Sequence, residues 1–176
     1  MKDKDLSINL GDPKNYAFTI KKEKNIKTFD NVLSEDLLDL VQTELKLFMY
    51  QKHSSTEDYK NLFFASDTIN HSTHDFLLKL FNEKYKLPYK KLCSYVNCYP
   101  SQVGGDFHSD DGDYTYLFFP DNYEDMKNIG DLEFKDGPTI TYKTNRLVVF
   151  DANLLHRARK NLTPNMRHTI AWKTLT

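Results

Sequence analysis

After Pro88 the chain changes character, and that change limits the folds open to it. Residues 92–99, 114–119, 130–134, 139–143, 146–150 and 167–175 are short and β-rich, with Gly, Asn, Asp and Pro between them. Such runs read as strands, and several in succession predict a sandwich or jelly roll. Before Pro88 the pattern is helical. Ser34, followed by Glu35 and Asp36, marks a helix start. Leu37, Leu38, Val41, Leu45 and Phe48 then form a stripe of period 3.6. Ser72-Thr73-His74-Asp75 reads as a capping box opening a second helix, with Phe76, Leu77, Leu80 and Phe81 on its apolar side. Residues 1–27 are polar and weakly patterned, an arm or early strand that packs loosely. The polar stretch around 54–58 reads as a loop anchored by Leu62-Phe63-Phe64. The expectation is a mainly β chain of α+β class, its N-terminal helices packed on one sheet. A length of 176 residues suits a single domain, divided into a helical part at about 28–87 and a β core at about 88–176.

Charge narrows the partners. Lys and Arg number 24 against 25 Asp and Glu, for a net charge of −1. That balance argues against a protein whose affinity rests on a large basic surface for nucleic acid. Arginine is scarce, only Arg146, Arg157, Arg159 and Arg167, so an Arg where a planar fork is needed carries more meaning. No apolar stretch reaches the length of a signal-peptide core or a membrane span, and the expected location is the cytoplasm. Cys93 and Cys98, five apart in one strand, point to opposite faces. They read as buried small residues in a reducing compartment.

The chemistry-bearing pattern is Gly105-Asp106-Phe107-His108-Ser109-Asp110, then Leu155-His156, then Arg167. On a strand, His108 and Asp110 leave the same face. His156 follows the apolar run 146–150 and completes a set of two imidazoles and one carboxylate. That set is the facial triad of non-haem Fe(II) oxygenases, which leaves three coordination positions open. A lone His-x-Asp is weak, and a surface His is its ordinary reading; order, spacing and strand context together outweigh coincidence. A structural zinc site would fill four positions with protein ligands, and thiolates are absent from the pattern. Arg167 opens the strand Arg-His-Thr-Ile-Ala-Trp and reads as a clamp for a dicarboxylate, the alternative being a surface Arg on an edge strand. Thr169 and Ala171 share its face.

These motifs resemble the 2-oxoglutarate and Fe(II)-dependent dioxygenases, and within them the prolyl 4-hydroxylase-like branch. The likeness begins at Thr28-Phe29-Asp30-Asn31-Val32-Leu33-Ser34-Glu35-Asp36. It continues through Tyr99-Pro100 with Gly104 and through Gly130-Asp131-Leu132-Glu133-Phe134. It ends with residues 146–156 and 167–172. It implies a double-stranded β-helix of jelly-roll or cupin type. It also implies Fe(II) held by His108, Asp110 and His156, 2-oxoglutarate as co-substrate, and ascorbate as reductant. The implied reaction hydroxylates a prolyl residue of a peptide or protein and releases succinate and CO₂. Arg167 would hold the far carboxylate of 2-oxoglutarate, with Thr169 lining the pocket. Tyr99 resembles the tyrosine beside the near carboxylate, an ordinary barrel-lining aromatic being the other reading. A carboxylate at Asp110, where halogenase relatives carry a small residue, implies hydroxylation.

Two positions depart from the pattern. Members of the branch often place a second tyrosine on the strand after the His-x-Asp loop; here the register puts Phe119 there, with Tyr116 facing the other way. Nucleic-acid demethylase relatives carry a second Arg six residues after the first, where this chain has Lys173. Other readings are a hydroxylase of a free amino acid or small molecule, and a non-catalytic metal-binding jelly roll. His53, His71, His74 and His168 read as surface or capping groups. Asp110-Asp111-Gly112-Asp113 lacks the loop and closing Glu of a calcium site. Arg157 and Arg159 either reach a substrate or form a solvated edge. Specificity is expected from loops at 51–70 and 121–130.

Overall fold

Alternate residues of a strand face opposite ways, and the central strands of this chain are apolar on both sides. The computed structural model describes residues 25–54, 62–68, 71–87, 90–123 and 129–176, without the side chains of 53, 54 and 62. The elements in order are β1 (Ile26–Asp30), α1 (Glu35–Leu45), β2 (Gln51–Ser54), β3 (Leu62–Asp67) and α2 (Ser72–Tyr85). Then come β4 (Lys90–Tyr99), β5 (Tyr114–Phe119), β6 (Leu132–Phe134), β7 (Thr139–Ile140), β8 (Arg146–Asp151), β9 (His156–Ala158) and β10 (Arg167–Leu175). Among the described residues, seven strands form one sheet in the order β1-β8-β5-β10-β4-β3-β2, and three form another in the order β7-β6-β9. All pairings are antiparallel. The architecture is the expected double-stranded β-helix with helices on one sheet.

Two apolar layers follow from the alternation. On the outer face of the large sheet, Val96, Tyr116, Phe118, Ile170 and Trp172 pack with Val41 and Leu45 of α1 and Leu77, Leu78 and Phe81 of α2. Trp172 is fully buried. Its ring meets Phe81 edge-on at 5.9 Å, and its Nε1 donates to the His74 carbonyl at 3.1 Å. Between the sheets lie Leu117, Phe119, Val148, Phe150 and Ala171, facing Leu132, Phe134 and Tyr142. Burying a side chain of this size stabilises by about 1.5–3 kcal/mol, so both layers hold β5, β8 and β10 as a rigid floor.

The structure corrects several expectations. The stretch read as an anchored loop supplies β2 and β3, the far edge of the large sheet. The arm at 1–24 and the loop middle at 55–61 lie outside the described residues, as does the His53 side chain. The capping box does not form: His71 is the N-cap, without a side-chain cap bond, and Ser72 is already helical. Phe76 is exposed, and Leu78 is buried beside Leu77 in the apolar layer. His74 is no surface group. It is fully buried, with Nδ1 2.8 Å from the Thr68 hydroxyl, and burial pushes its pKa down to about 3. Nor is His168 free, because its Nδ1 lies 2.9 Å from Asp121 Oδ1. Burial alone would lower the His168 pKa, but the bonds to Asp121 and Cys98 outweigh it and raise the value to about 10. Cys98 is buried, but Cys93 is only partly so. No helix among the described residues is long and apolar enough to cross a membrane.

Candidate metal centre and its arginine pocket

Residues 103–107 and 109–113 belong to no strand, yet they are sewn to the segment that carries the third histidine. Gly105 N donates to the Ala158 carbonyl at 2.9 Å, and Asp110 N to the Ala152 carbonyl at 2.8 Å. Between these bonds, His108 and His156 form an antiparallel bridge, exchanging backbone bonds of 3.0 and 2.9 Å. Two side chains separated by 48 positions thereby become cross-strand neighbours, ring centroids 4.5 Å apart. The same-face expectation for His108 and Asp110 is met through these alternating bonds rather than through a strand.

The two rings are held alike. His108 Nδ1 lies 2.8 Å from the Asp106 carbonyl, and His156 Nδ1 lies 2.8 Å from the Leu154 carbonyl. A carbonyl only accepts, so each Nδ1 carries the proton and each Nε2 keeps a lone pair. Both Nε2 atoms turn to Asp110. His156 Nε2 is 3.5 Å from Oδ2 and His108 Nε2 is 3.9 Å from Oδ1. One donor atom from each residue lies within 4.8 Å of the others, a set that could hold a metal ion. Burial lowers the His156 pKa, and a neutral imidazole is the ligating form. The Asp110 carboxylate is oriented by Thr115 Oγ1, which donates to Oδ2 at 2.6 Å, and by Lys173 Nζ, 3.2 Å from Oδ1.

Behind the triad lies a cavity of about 40 Å³, lined by Tyr95, Asn97, Tyr99, Thr115, Leu117, Thr169 and Arg167 among others. Arg167 is only 1% exposed, and its Nε and Nη1 have no hydrogen-bond partner among the described residues. Leaving charged donors unpaired in a protein interior is costly. A buried guanidinium with two unpaired donors, lining a cavity shared with three ligand-type side chains, fits a carboxylate partner. The guanidinium is sandwiched between aromatic faces, with Cζ 5.0 Å from the Tyr99 ring and 5.2 Å from the Tyr142 ring. Tyr142 is fixed in turn: its one hydroxyl proton is shared between the His168 carbonyl at 2.9 Å and Asp121 Oδ2 at 3.1 Å, its oxygen accepts from Asp121 N at 3.2 Å, and its ring stacks on Phe119 at 4.5 Å. Burial raises the Tyr99 and Tyr142 pKa values, so both phenols are neutral.

Outside the triad a mouth of about 610 Å³ opens between β3, β4 and the 105–110 segment, lined by Phe63, Asp67, Tyr95, Asn97, Phe107 and Lys173 among others. A roomier groove, about 840 Å³, runs between α1 and residues 142–145; it includes Tyr142, whose ring flanks Arg167, but is lined by none of the triad. Phe119 occupies the expected inward position, and Tyr116 faces the helices. Arg157 and Arg159 are tied to Glu133 at 2.7 and 3.1 Å, outside the cavity. Sequence reasoning missed Thr115, Tyr142 and the inward role of Lys173. Strand alternation from Arg167 could have placed Lys173 on the same face; nothing in the turn-rich stretch around Tyr142 pointed to it.

No protein-family model matches the sequence, and no curated protein is detectably similar to it. Solved structures are another matter. A prolyl-4-hydroxylase of Pseudomonas putida superposes with a TM-score of 0.68 at 14% identity, over 86% of this chain and 94% of that one. The viral collagen prolyl hydroxylase of Paramecium Bursaria Chlorella virus-1, in complex with 2-oxoglutarate, gives 0.63 at 13% identity, over 89% and 99%. This chain shares their fold. It shares it as well with a non-heme alpha ketoglutarate-dependent epimerase of nogalamycin biosynthesis, at a TM-score of 0.67, 11% identity, and 85% and 77% coverage.

Proposed function

We propose that the chain is a 2-oxoglutarate- and O₂-dependent Fe(II) hydroxylase acting on a prolyl residue of a peptide or protein. The observation that carries this reading is the pairing, in one cavity, of the His108–Asp110–His156 set with a buried guanidinium whose Nε and Nη1 have no partner among the described residues. His108, Asp110 and His156 would hold the iron, leaving room for a two-point chelate and O₂. Arg167 would grip the far carboxylate of 2-oxoglutarate in a two-pronged bond, with Thr169 lining the pocket and Tyr99 beside the near carboxylate. When bound, the iron and co-substrate supply the oxidising chemistry: one atom of O₂ enters the substrate as hydroxyl, the other enters succinate, and CO₂ leaves.

The chain's own residues do the positioning. The carbonyls of Asp106 and Leu154 fix the tautomer of both histidines, so each Nε2 lone pair is presented without rearrangement. Tyr99 and Tyr142 hold the guanidinium between them and keep water from it. Leu117, Leu132 and Ala171 make the inner wall apolar, which strengthens the charge pairing at Arg167. The substrate would enter by the mouth beside Phe63 and Tyr95.

The prolyl assignment rests on the likeness to prolyl hydroxylases, and the likeness to the epimerase supports a second reading, oxidation of a small molecule. Anaerobic titration with Fe(II) and 2-oxoglutarate is the first test. A metal-to-ligand charge-transfer band is expected for the wild-type protein and not for Arg167→Ala, where loss of a buried charge partner should weaken the co-substrate by roughly 2–5 kcal/mol. His108→Ala and Asp110→Ala should abolish succinate release while far-ultraviolet circular dichroism stays native. A wild-type protein without the band would leave a non-catalytic metal-binding module. Mass spectrometry of proline peptides and free amino acids, scored for the gain of one oxygen atom, then separates the two substrate readings.

A further inference from the structure

An aspartate can bind a metal through one oxygen or through both. For Asp110 the choice matters, because two imidazoles and one oxygen leave three of six positions open, whereas two oxygens leave only two. We infer that Lys173 is a positioning residue that keeps Asp110 to a single metal-binding oxygen. This rests on the metal-centre reading above and extends it to a residue that no ligand pattern includes.

The Asp110 side chain is only 3% exposed, so bulk water does not solvate its oxygens. Each oxygen has its own partner, Thr115 on Oδ2 at 2.6 Å and Lys173 on Oδ1 at 3.2 Å. These partners come from directly opposed positions, since Lys173 pairs with Thr115 across β10 and β5. The backbone of Asp110 is fixed independently by its bond to the Ala152 carbonyl. The carboxylate is therefore held at both oxygens on an anchored backbone, which opposes a rotation that would exchange them.

Charge decides which oxygen faces a metal. An ammonium and a divalent cation repel, so they do not share one oxygen, whereas a hydroxyl donor and a metal can. By that argument Lys173 takes Oδ1 and the metal would take Oδ2; Oδ2 lies 3.5 Å from His156 Nε2 and Oδ1 a longer 3.9 Å from His108 Nε2. The lysine is itself confined. Its Nζ lies 5.5 Å from the centre of the Tyr95 ring and 4.0 Å from Asp111 Oδ2, and its side chain is 17% exposed. It lines the mouth but not the inner cavity, so it approaches Asp110 from the side away from Arg167.

The experiment uses Co(II) as a spectroscopic probe in wild type, K173M and K173R, with thermal melts to check folding. The visible bands of K173R should match wild type. Those of K173M should shift as Asp110 takes a second coordination position. Its affinity for 2-oxoglutarate, measured on the cobalt-loaded protein, should fall about tenfold or more. An unchanged K173M spectrum overturns the proposal, whatever the co-substrate affinity does, because loss of charge alone alters affinity without altering coordination. Should K173M fail to fold, isotope-edited infrared spectroscopy of labelled wild type and K173Q answers the same question. The carboxylate splitting of one-oxygen coordination is expected in wild type and that of two-oxygen coordination in K173Q; two-oxygen splitting in wild type, or one-oxygen splitting in both, overturns the proposal. A wild-type protein that takes up no Co(II), or that takes it up unchanged in H108A, fails at the metal-centre reading itself.

Discussion

At Gly130 a single hydrogen in place of a methyl group decides whether Arg167 can reach its cavity. The backbone there has φ of +99°, and an added Cβ would lie 2.7 Å from the Arg159 carbonyl oxygen and 3.2 Å from Arg167 Cδ. Both terms oppose a side chain: positive φ is disfavoured for any other residue, and the nearest contact is backbone, which does not yield. Gly130→Ala should therefore cost about 1–3 kcal/mol, lower the melting temperature by several degrees, and weaken 2-oxoglutarate binding as Arg167 is displaced. Calorimetry and equilibrium binding read the two effects separately. A variant with wild-type melting and binding would show that the loop relaxes around the methyl group. Gly104 is equally confined, its added Cβ falling 2.9 Å from both the Ala158 carbonyl oxygen and the Lys160 amide nitrogen.

The elements divide into those that alternation makes readable and those it does not. Strands β5, β8 and β10 were legible because their runs are short, β-rich and bounded by turn residues; the same alternation put Arg167, Thr169 and Ala171 on one face. The convergence of His108, Asp110 and His156 was legible from the His-x-Asp spacing and from the apolar run that precedes His156, although His108 and Asp110 lie in a segment between strands. Strands β2 and β3 were not, since Gln51-Lys52-His53-Ser54 is a polar edge with no apolar period. The capping box failed because Ser72 is already helical and the N-cap falls on His71. His74 and His168 looked polar and exposed, but Trp172 against the one and Asp121 against the other come from far away in the chain. Tyr142 lies in the irregular stretch between β7 and β8, and only its contacts with Phe119, Asp121 and Arg167 give it a task. That task can be split by two variants. Tyr142→Phe keeps the ring against Arg167 but loses the bonds to Asp121 and the His168 carbonyl, so stability should fall by about 1–3 kcal/mol with co-substrate affinity nearly unchanged. Tyr142→Ala should lose both. If urea melts and binding titrations show the two variants to be alike, the ring contact contributes nothing.

For the molecule as a whole, the interface between helices and large sheet holds two histidines in opposite charge states, and stability should depend on pH accordingly. His74, buried against Trp172, has a folded pKa of about 3, below the ordinary value of 6.5. Between those values the unfolded chain binds a proton that the folded chain refuses. Stability is then lost as pH falls below 6.5, by about 1.4 kcal/mol per pH unit. Burial also lowers His156, which adds to this acid limb in metal-free protein. His168 is the reverse case. Its folded pKa of about 10 lies above 6.5, so the folded chain holds a proton that the unfolded chain releases. Its contribution is complete below 6.5 and fades as pH rises toward 10. The two limbs meet near pH 6.5, and unfolding free energies measured in urea with a chelator present should peak there. His74→Gln should reduce the acid slope between pH 5 and 6.5 by about one proton. Asp121→Asn, which removes the carboxylate that holds the His168 proton, should flatten the slope between pH 7 and 9. Because slopes rather than absolute stabilities are compared, a variant that is merely weaker does not imitate the result. A wild-type profile that is level from pH 5 to 9 would mean that neither histidine has the environment the packing gives it.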